Sequence, residues 1–210
     1  MGACSCKLQG QGSEPGVTGN SDLELTNNAA MNEDEYVLTK QVQEIMKKLS
    51  NARGTSNILK QLGVVTAMIS ESRGNLHAFE RMGCVGLVDV VVKNHSTVAV
   101  VVATFRILCE IAVSVAAKRS LCNAGLCEEL VRALRLHTLD CDTCMQACRL
   151  ICLLCFDATC TRYLIDLGAI EAVSACSSSA SDKGTQNNDW RKHALDSLSQ
   201  TTSSASVSKR

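Results

Sequence analysis

Aromatic residues make up only 3% of this 210-residue chain, and proline occurs once, at Pro15. Ala, Leu, Val and Cys take their place, and small side chains in such quantity point to closely stacked helices. Neither sign of charge is in excess: Lys plus Arg and Asp plus Glu both come to 21. A balanced chain has no global field to draw nucleic acid or an acidic substrate, so neither partner class is expected. Residues 1–30 lack the continuous apolar segment of a secretory signal, and the thirteen cysteines are odd in number. Both facts argue against a disulfide-framed secreted domain and for reduced thiols in a cytosolic setting.

Catalytic signatures are missing as well. There is no phosphate-binding loop of the Gly-x-x-x-x-Gly-Lys type, no Gly-x-Ser-x-Gly elbow and no His-Glu-x-x-His helix. The four histidines, His77, His95, His137 and His193, sit in no metal-ligand or nucleophile motif. His95 and His137 fall near the ends of helical segments, where a donor suits unpaired carbonyls. Nothing assembles a base, a nucleophile and an oxyanion site, so no enzymatic activity, cofactor, metal or small-molecule substrate is expected. The most apolar stretch, Val98 to Ala117, contains Arg106 and Glu110. Each charge costs about 2.5–3.5 kcal/mol near a bilayer centre, and the stretch is read as a buried helix rather than a span.

What the chain does carry begins at its first residues, Met1-Gly2-Ala3-Cys4-Ser5-Cys6-Lys7. A glycine behind the initiator methionine is a myristate acceptor, and Cys4 and Cys6 beside it are palmitate acceptors. One myristoyl chain binds a membrane only marginally, and a second acyl signal makes the anchor lasting. The usual pattern has Ser or Thr at the sixth residue, where this chain has Cys6, and Lys7 adds a charge that suits an anionic leaflet. Residues 7–32, with Gly10, Gly12, Pro15, Gly16 and Gly19, read as a flexible tether with a mean reach on the order of 28 Å.

Beyond the tether the sequence repeats. Phe79-Glu80-Arg81-Met82-Gly83, Leu121-Cys122-Asn123-Ala124-Gly125 and Leu164-Ile165-Asp166-Leu167-Gly168 end alike, their glycines 42 and then 43 residues apart. Apolar sets follow in register, Leu87-Val88-Val91 and Leu130-Val131-Leu134, and the same offset of 43 carries Arg106 onto Arg149, Leu108 onto Ile151 and Ile111 onto Leu154. A period in the forties indicates stacked helical units. Each unit reads as a short helix, a glycine turn at positive φ, a second helix, a polar turn and a longer third helix. Tyr36 to Ser50 and Ile58 to Ser70 form an incomplete first unit, and Gly168 opens a last one, interrupted by the polar run Ser177 to Asn188 and resumed by Trp190 to Gln200.

These units resemble those of the armadillo-repeat family. Gly168-Ala169-Ile170-Glu171-Ala172-Val173 is similar to the family's turn and second-helix opening, and Leu108-Cys109-Glu110-Ile111-Ala112 to its third-helix pattern. The resemblance covers residues 36–200 and implies an all-α, right-handed solenoid of about four repeats. The expected boundaries are 1–32 for the acylated N-terminus and tether, 33–82 for an incomplete first repeat, then 83–124, 125–167 and a degenerate 168–202, with 203–210 a disordered tail. With its acylated start, the chain resembles the N-terminally acylated armadillo membrane scaffolds of fungal vacuoles and of protozoa. In peptide-binding members, asparagines line the groove of the third helices. The corresponding positions here are Ala67, Glu110, Leu153 and Ser197, so recognition of basic localisation peptides is not expected. A groove carrying Arg106, Glu110 and Arg149, with Trp190 closing its end, suits a mixed-charge or helical ligand.

Cys141, Cys144, Cys148, Cys152, Cys155 and Cys160 raise the possibility of zinc, since two Cys-x-x-Cys pairs are present. The pairs are too close for a zinc ribbon, and on one helix Cys144 to Cys155 extend about 16 Å, too far to reach one ion. At the offset of 43, Cys141 to Cys155 fall on Val98, Val101, Phe105, Cys109 and Ala112, all apolar, so the thiols are expected to fill core positions. The function expected is a non-catalytic protein-interaction adaptor, held by its lipids on the cytoplasmic face of a membrane, its protein partner undefined. The alternative is a soluble cysteine-rich metal-binding or redox-sensing protein, with Cys160 or Cys176 as sensor.

Overall fold

The computed structural model describes residues 33–176 and 184–207, with side chains over 35–176 and 189–200. Every element among the described residues is an α-helix: α1 Glu33–Asn51, α2 Thr55–Glu71, α3 Arg73–Met82, α4 Cys84–Asn94, α5 Val98–Ile111, α6 Val115–Asn123, α7 Leu126–Leu136, α8 Cys141–Leu154, α9 Ala158–Asp166, α10 Ala169–Ala175 and α11 Gly184–Val207. The chain is all-α, as expected from its composition. None of the described helices is long and apolar enough to cross a membrane. The apolar stretch 98–117 is in fact two helices: α5 ends at Ile111, and the Ser114 side chain accepts from Ala117 N–H at 3.0 Å to start α6.

The helix starts follow from short polar side chains. Ser72, Ser114, Asp140 and Asp157 cap α3, α6, α8 and α9, each accepting a backbone N–H two or three residues on. Loss of such a cap costs about 1 kcal/mol. The second helix of each triplet starts at a glycine instead. Gly125 and Gly168 precede α7 and α10 at φ 91° and 80°, where a side chain would be strained. Gly83 departs from the expectation of positive φ, at −87°. It is required for space: a Cβ there would lie 2.8 Å from Phe79 Cδ1 and 3.0 Å from the Phe79 carbonyl oxygen.

Packing sorts the helices into three series. The third helices α2, α5, α8 and α11 touch in succession, the second helices α4, α7 and α10 likewise, and so do α3, α6 and α9. The core runs through all three, with Phe79, Phe105, Leu108, Leu130 and Ile151 fully buried. Polar contacts bridge successive triplets at similar sequence separations. His137 Nε2 donates to the His95 carbonyl at 2.8 Å, and Arg119 Nε donates to Asp157 at 2.9 Å. Arg81 pairs with Glu35, tying α3 to α1. The last helix is longer than the sequence suggests. It begins at Gly184, inside the polar run, and continues to Val207, beyond the expected end of the last unit at 202. Its polar composition hid it, since only Ala194 and Leu198 among its described side chains are buried.

Candidate partner-binding groove

The third helices α2, α5 and α8, with Leu76 of α3, enclose a groove of about 630 Å³. Its floor is aliphatic because α2 and α5 turn apolar side chains inward: Leu62 is 1% and Ile107 3% exposed, and Leu59 and Ile69 are half-buried beside them. Thr66 and Ser70 on its wall spend their hydroxyl protons on their own helix, donating to the Leu62 and Thr66 carbonyls at 3.0 Å. Three charged side chains complete the lining. Arg106 and Glu110 are one turn apart on α5, and Arg149 of α8 donates to Glu110 Oε1 at 3.3 Å across the helix boundary.

Of the four residues the sequence assigned to the groove, Arg106, Glu110 and Arg149 therefore meet there, and Trp190 does not line it. Trp190 packs half-buried on the core from α11, edge-on to His193 with ring centres 6.2 Å apart, and its carbonyl faces Cys152 Sγ at 3.8 Å. Among the positions aligned with the asparagine ladder, Ala67, Leu153 and Ser197 also lie outside the lining, and only Glu110 belongs to it. Gln146 is a buried polar groove residue that the sequence reading missed. It is 6% exposed, and its Oε1 has no hydrogen-bond partner. The signal was an amide at the position that falls on Ala103 at the offset of 43, between the buried Thr143 and Leu150.

No protein-family model matches the chain, and no curated protein matches it.

The remaining candidates divide by location. Gly2, Cys4 and Cys6 lie outside the described residues. The cysteine stripe of α8 is core: Cys144 and Cys148 are fully buried, Cys152 is 9% exposed, and Cys141 and Cys155 are half-buried at its ends. The described cysteines other than Cys141 are free thiols. Burial raises the Cys109 and Cys152 thiols to about 12 and Cys155 to about 11, and lifts Cys148 and Cys160 too. Cys144 is pushed up by its hydrogen bond with Cys176 and by burial, while the same bond, aided by Arg191 against burial, lowers Cys176. Among the described residues no three His, Cys, Asp or Glu side chains gather to hold a metal ion. His95 Nδ1 donates to the Val92 carbonyl at 3.0 Å and closes α4, the helix-end role expected of it.

Proposed function

We propose that this chain is a non-catalytic protein-interaction adaptor, a right-handed armadillo-like stack of about four repeats, tethered to the cytoplasmic face of a membrane by myristate on Gly2 and palmitate on Cys4 and Cys6. The observation that carries the reading is the groove. Three helices far apart in sequence contribute an aliphatic floor and a charged rim to one concave face. Such a surface buries a partner's apolar side chains and orients them by charge. The recurrent order of helices, the glycine starts of α7 and α10 and the bonds that join successive triplets support the repeat assignment. The thiols raised by burial favour packing over redox chemistry, since the thiolate is the reactive form, and Cys176, whose thiol is lowered, is only 3% exposed.

Two measurements test the two halves of the proposal. Proximity labelling from the full chain, compared between wild type and Gly2→Ala, identifies partners met only at the membrane. Binding of a purified partner is then compared between wild type and Arg106→Glu/Arg149→Glu. Unchanged membrane attachment of Gly2→Ala removes the tether from the proposal, and unchanged partner binding by the double arginine variant removes the groove.

A further inference from the structure

Two of the turns that lead out of a third helix carry apolar side chains into solvent. Ser72, Ser114 and Asp157 hold the same place, capping α3, α6 and α9, so the residues on either side of each cap correspond. In the first turn these are Glu71 and Arg73, both exposed. In the second they are Val113 and Val115, 65% and 52% exposed, and in the third Phe156, 79% exposed, and the exposed Ala158. The charged pair in the first turn shows that the cap itself does not require apolar flanks. The two apolar turns adjoin one another: Lys118, one turn along α6 from Val115, sets its Nζ 5.0 Å from the centre of the Phe156 ring, and Arg119 Nε donates to Asp157 Oδ2. Single exposed apolar residues are ordinary, whereas a contiguous set on one edge marks a surface that something covers.

The charge along this edge has one sign. Across residues 112–123 and 155–165 the bases are Lys118, Arg119 and Arg162, and the one acid is Asp157. Asp157 is 5% exposed and spent on Arg119 and the α9 cap, and Glu110, in the last turn of α5, is taken by Arg149. Lys118 and Arg162 pair with no acid among the described residues. We infer that this edge dips Val113, Val115 and Phe156 into the interfacial zone of an anionic bilayer, with the charges of Lys118 and Arg162 drawn to its headgroups. Lys118 is 7% exposed, so its charge acts through the field beside the Phe156 ring and needs no direct contact. Four exposed side chains at two turns fall far short of the roughly 20–30 residues a side of a stable protein interface. A bilayer takes up protruding apolar side chains without a complementary surface. The inference deepens the membrane half of the proposed function by giving the folded domain a face toward the lipid.

The test uses the full chain carrying Gly2→Ala, Cys4→Ser and Cys6→Ser, which leaves no acyl acceptor at the N-terminus. It is floated with vesicles of phosphatidylcholine alone, or with phosphatidylserine as a third of the lipid. An edge this small binds weakly, too weakly to hold the chain through cell fractionation, so the lipid is kept at high concentration. Flotation is expected with the anionic vesicles, roughly tenfold weaker with phosphatidylcholine alone, and falling as salt rises. Phe156→Glu, which repeats at this turn the acid that Glu71 supplies at the first, should lower the partition by about tenfold or more, and Val113→Glu should act in the same direction. Phe156→Trp keeps a ring suited to the interface and should float at least as well as the parent. Circular dichroism checks that each variant keeps its helices. No flotation of the unacylated chain, equal binding to both vesicle types, indifference to Phe156→Glu, or an equal loss with Phe156→Trp overturns the inference. So does a chain that ignores vesicles yet loses a protein partner on Phe156→Glu, since the edge is then a protein contact. Membrane attachment in cells that depends on Gly2, beside no flotation here, leaves the lipid tether standing and this inference refuted.

Discussion

Replacing Asp157 by alanine should be among the most damaging single changes outside the apolar core. The carboxylate is 5% exposed and does two things at once. Oδ1 accepts the backbone N–H groups of Thr159 and Cys160, at 3.0 and 3.2 Å, and so starts α9, while Oδ2 accepts from Arg119 Nε of α6 at 2.9 Å. Loss of the cap costs about 1–2 kcal/mol. The pair adds about 0.5–1 kcal/mol, at the level of a surface ion pair because the Arg119 side chain is 63% exposed. Asp157→Ala should therefore lose about 1.5–3 kcal/mol, read as a Tm lower by roughly 3–12 °C for a domain of this size. Asp157→Asn keeps a capping oxygen and should lose only the smaller part. Burial works to raise this carboxyl, but the Cys160 N–H, Arg119 and the Thr159 N–H outweigh it and hold it below the usual aspartate value. A depressed native value means that the contribution is complete above about pH 4 and fades as pH falls through the native value. Urea unfolding at neutral pH and at about pH 3 should thus show the gap between wild type and Asp157→Asn closing in acid. The reasoning is refuted if Asp157→Ala unfolds within about 0.5 kcal/mol of wild type, or if Arg119→Gln costs as much in the Asp157→Asn background as alone.

The tether predicts that Gly2→Ala leaves the membrane fraction entirely, and that Cys4→Ser with Cys6→Ser stays weakly and reversibly bound, because one myristoyl chain is marginal; cell fractionation reads both. Cys148→Ala, at a fully buried site, should destabilise by about 1–2 kcal/mol in urea unfolding, and a zinc chelator should shift neither protein. Gly63→Ala, in the middle of α2 with no atom within 4 Å of the added Cβ, should raise stability by about 0.5–1 kcal/mol, checked in the same assay. A thiol reagent at neutral pH should label Cys109 and Cys152 only as the fold opens, since burial lifts both to about 12.

The sequence revealed the fold wherever one side chain had to serve the same purpose in successive units. Phe105 and Cys148 differ in chemistry, and Leu108 and Ile151 in branching, yet each pair falls 43 apart and every member is fully buried. The register thereby assigned the cysteine stripe to the core. The same logic explains where the reading failed. Gly83 looks like Gly125 and Gly168 in sequence, but its glycine answers to the Phe79 ring rather than to φ, and a contact partner four residues back leaves no mark on the repeat. The extent of α11 was hidden because its sequence is polar almost throughout. Its contact with α8 is the largest between any two described helices, so a few buried positions hold a helix whose composition reads as loop.

Within the groove, visibility depended on contrast. Arg106, Glu110 and Arg149 interrupt third helices that are otherwise apolar, and a charge in such a helix must face away from the core, which here means toward the groove. Trp190 offered no such contrast: an aromatic ring on the last helix has the core itself to pack against, and takes it. Gln146 escaped notice for the opposite reason, since an uncharged amide in α8 can as well sit at a solvated edge. Only its burial beside an open space, with Oε1 unpaired, separates it from an ordinary surface glutamine.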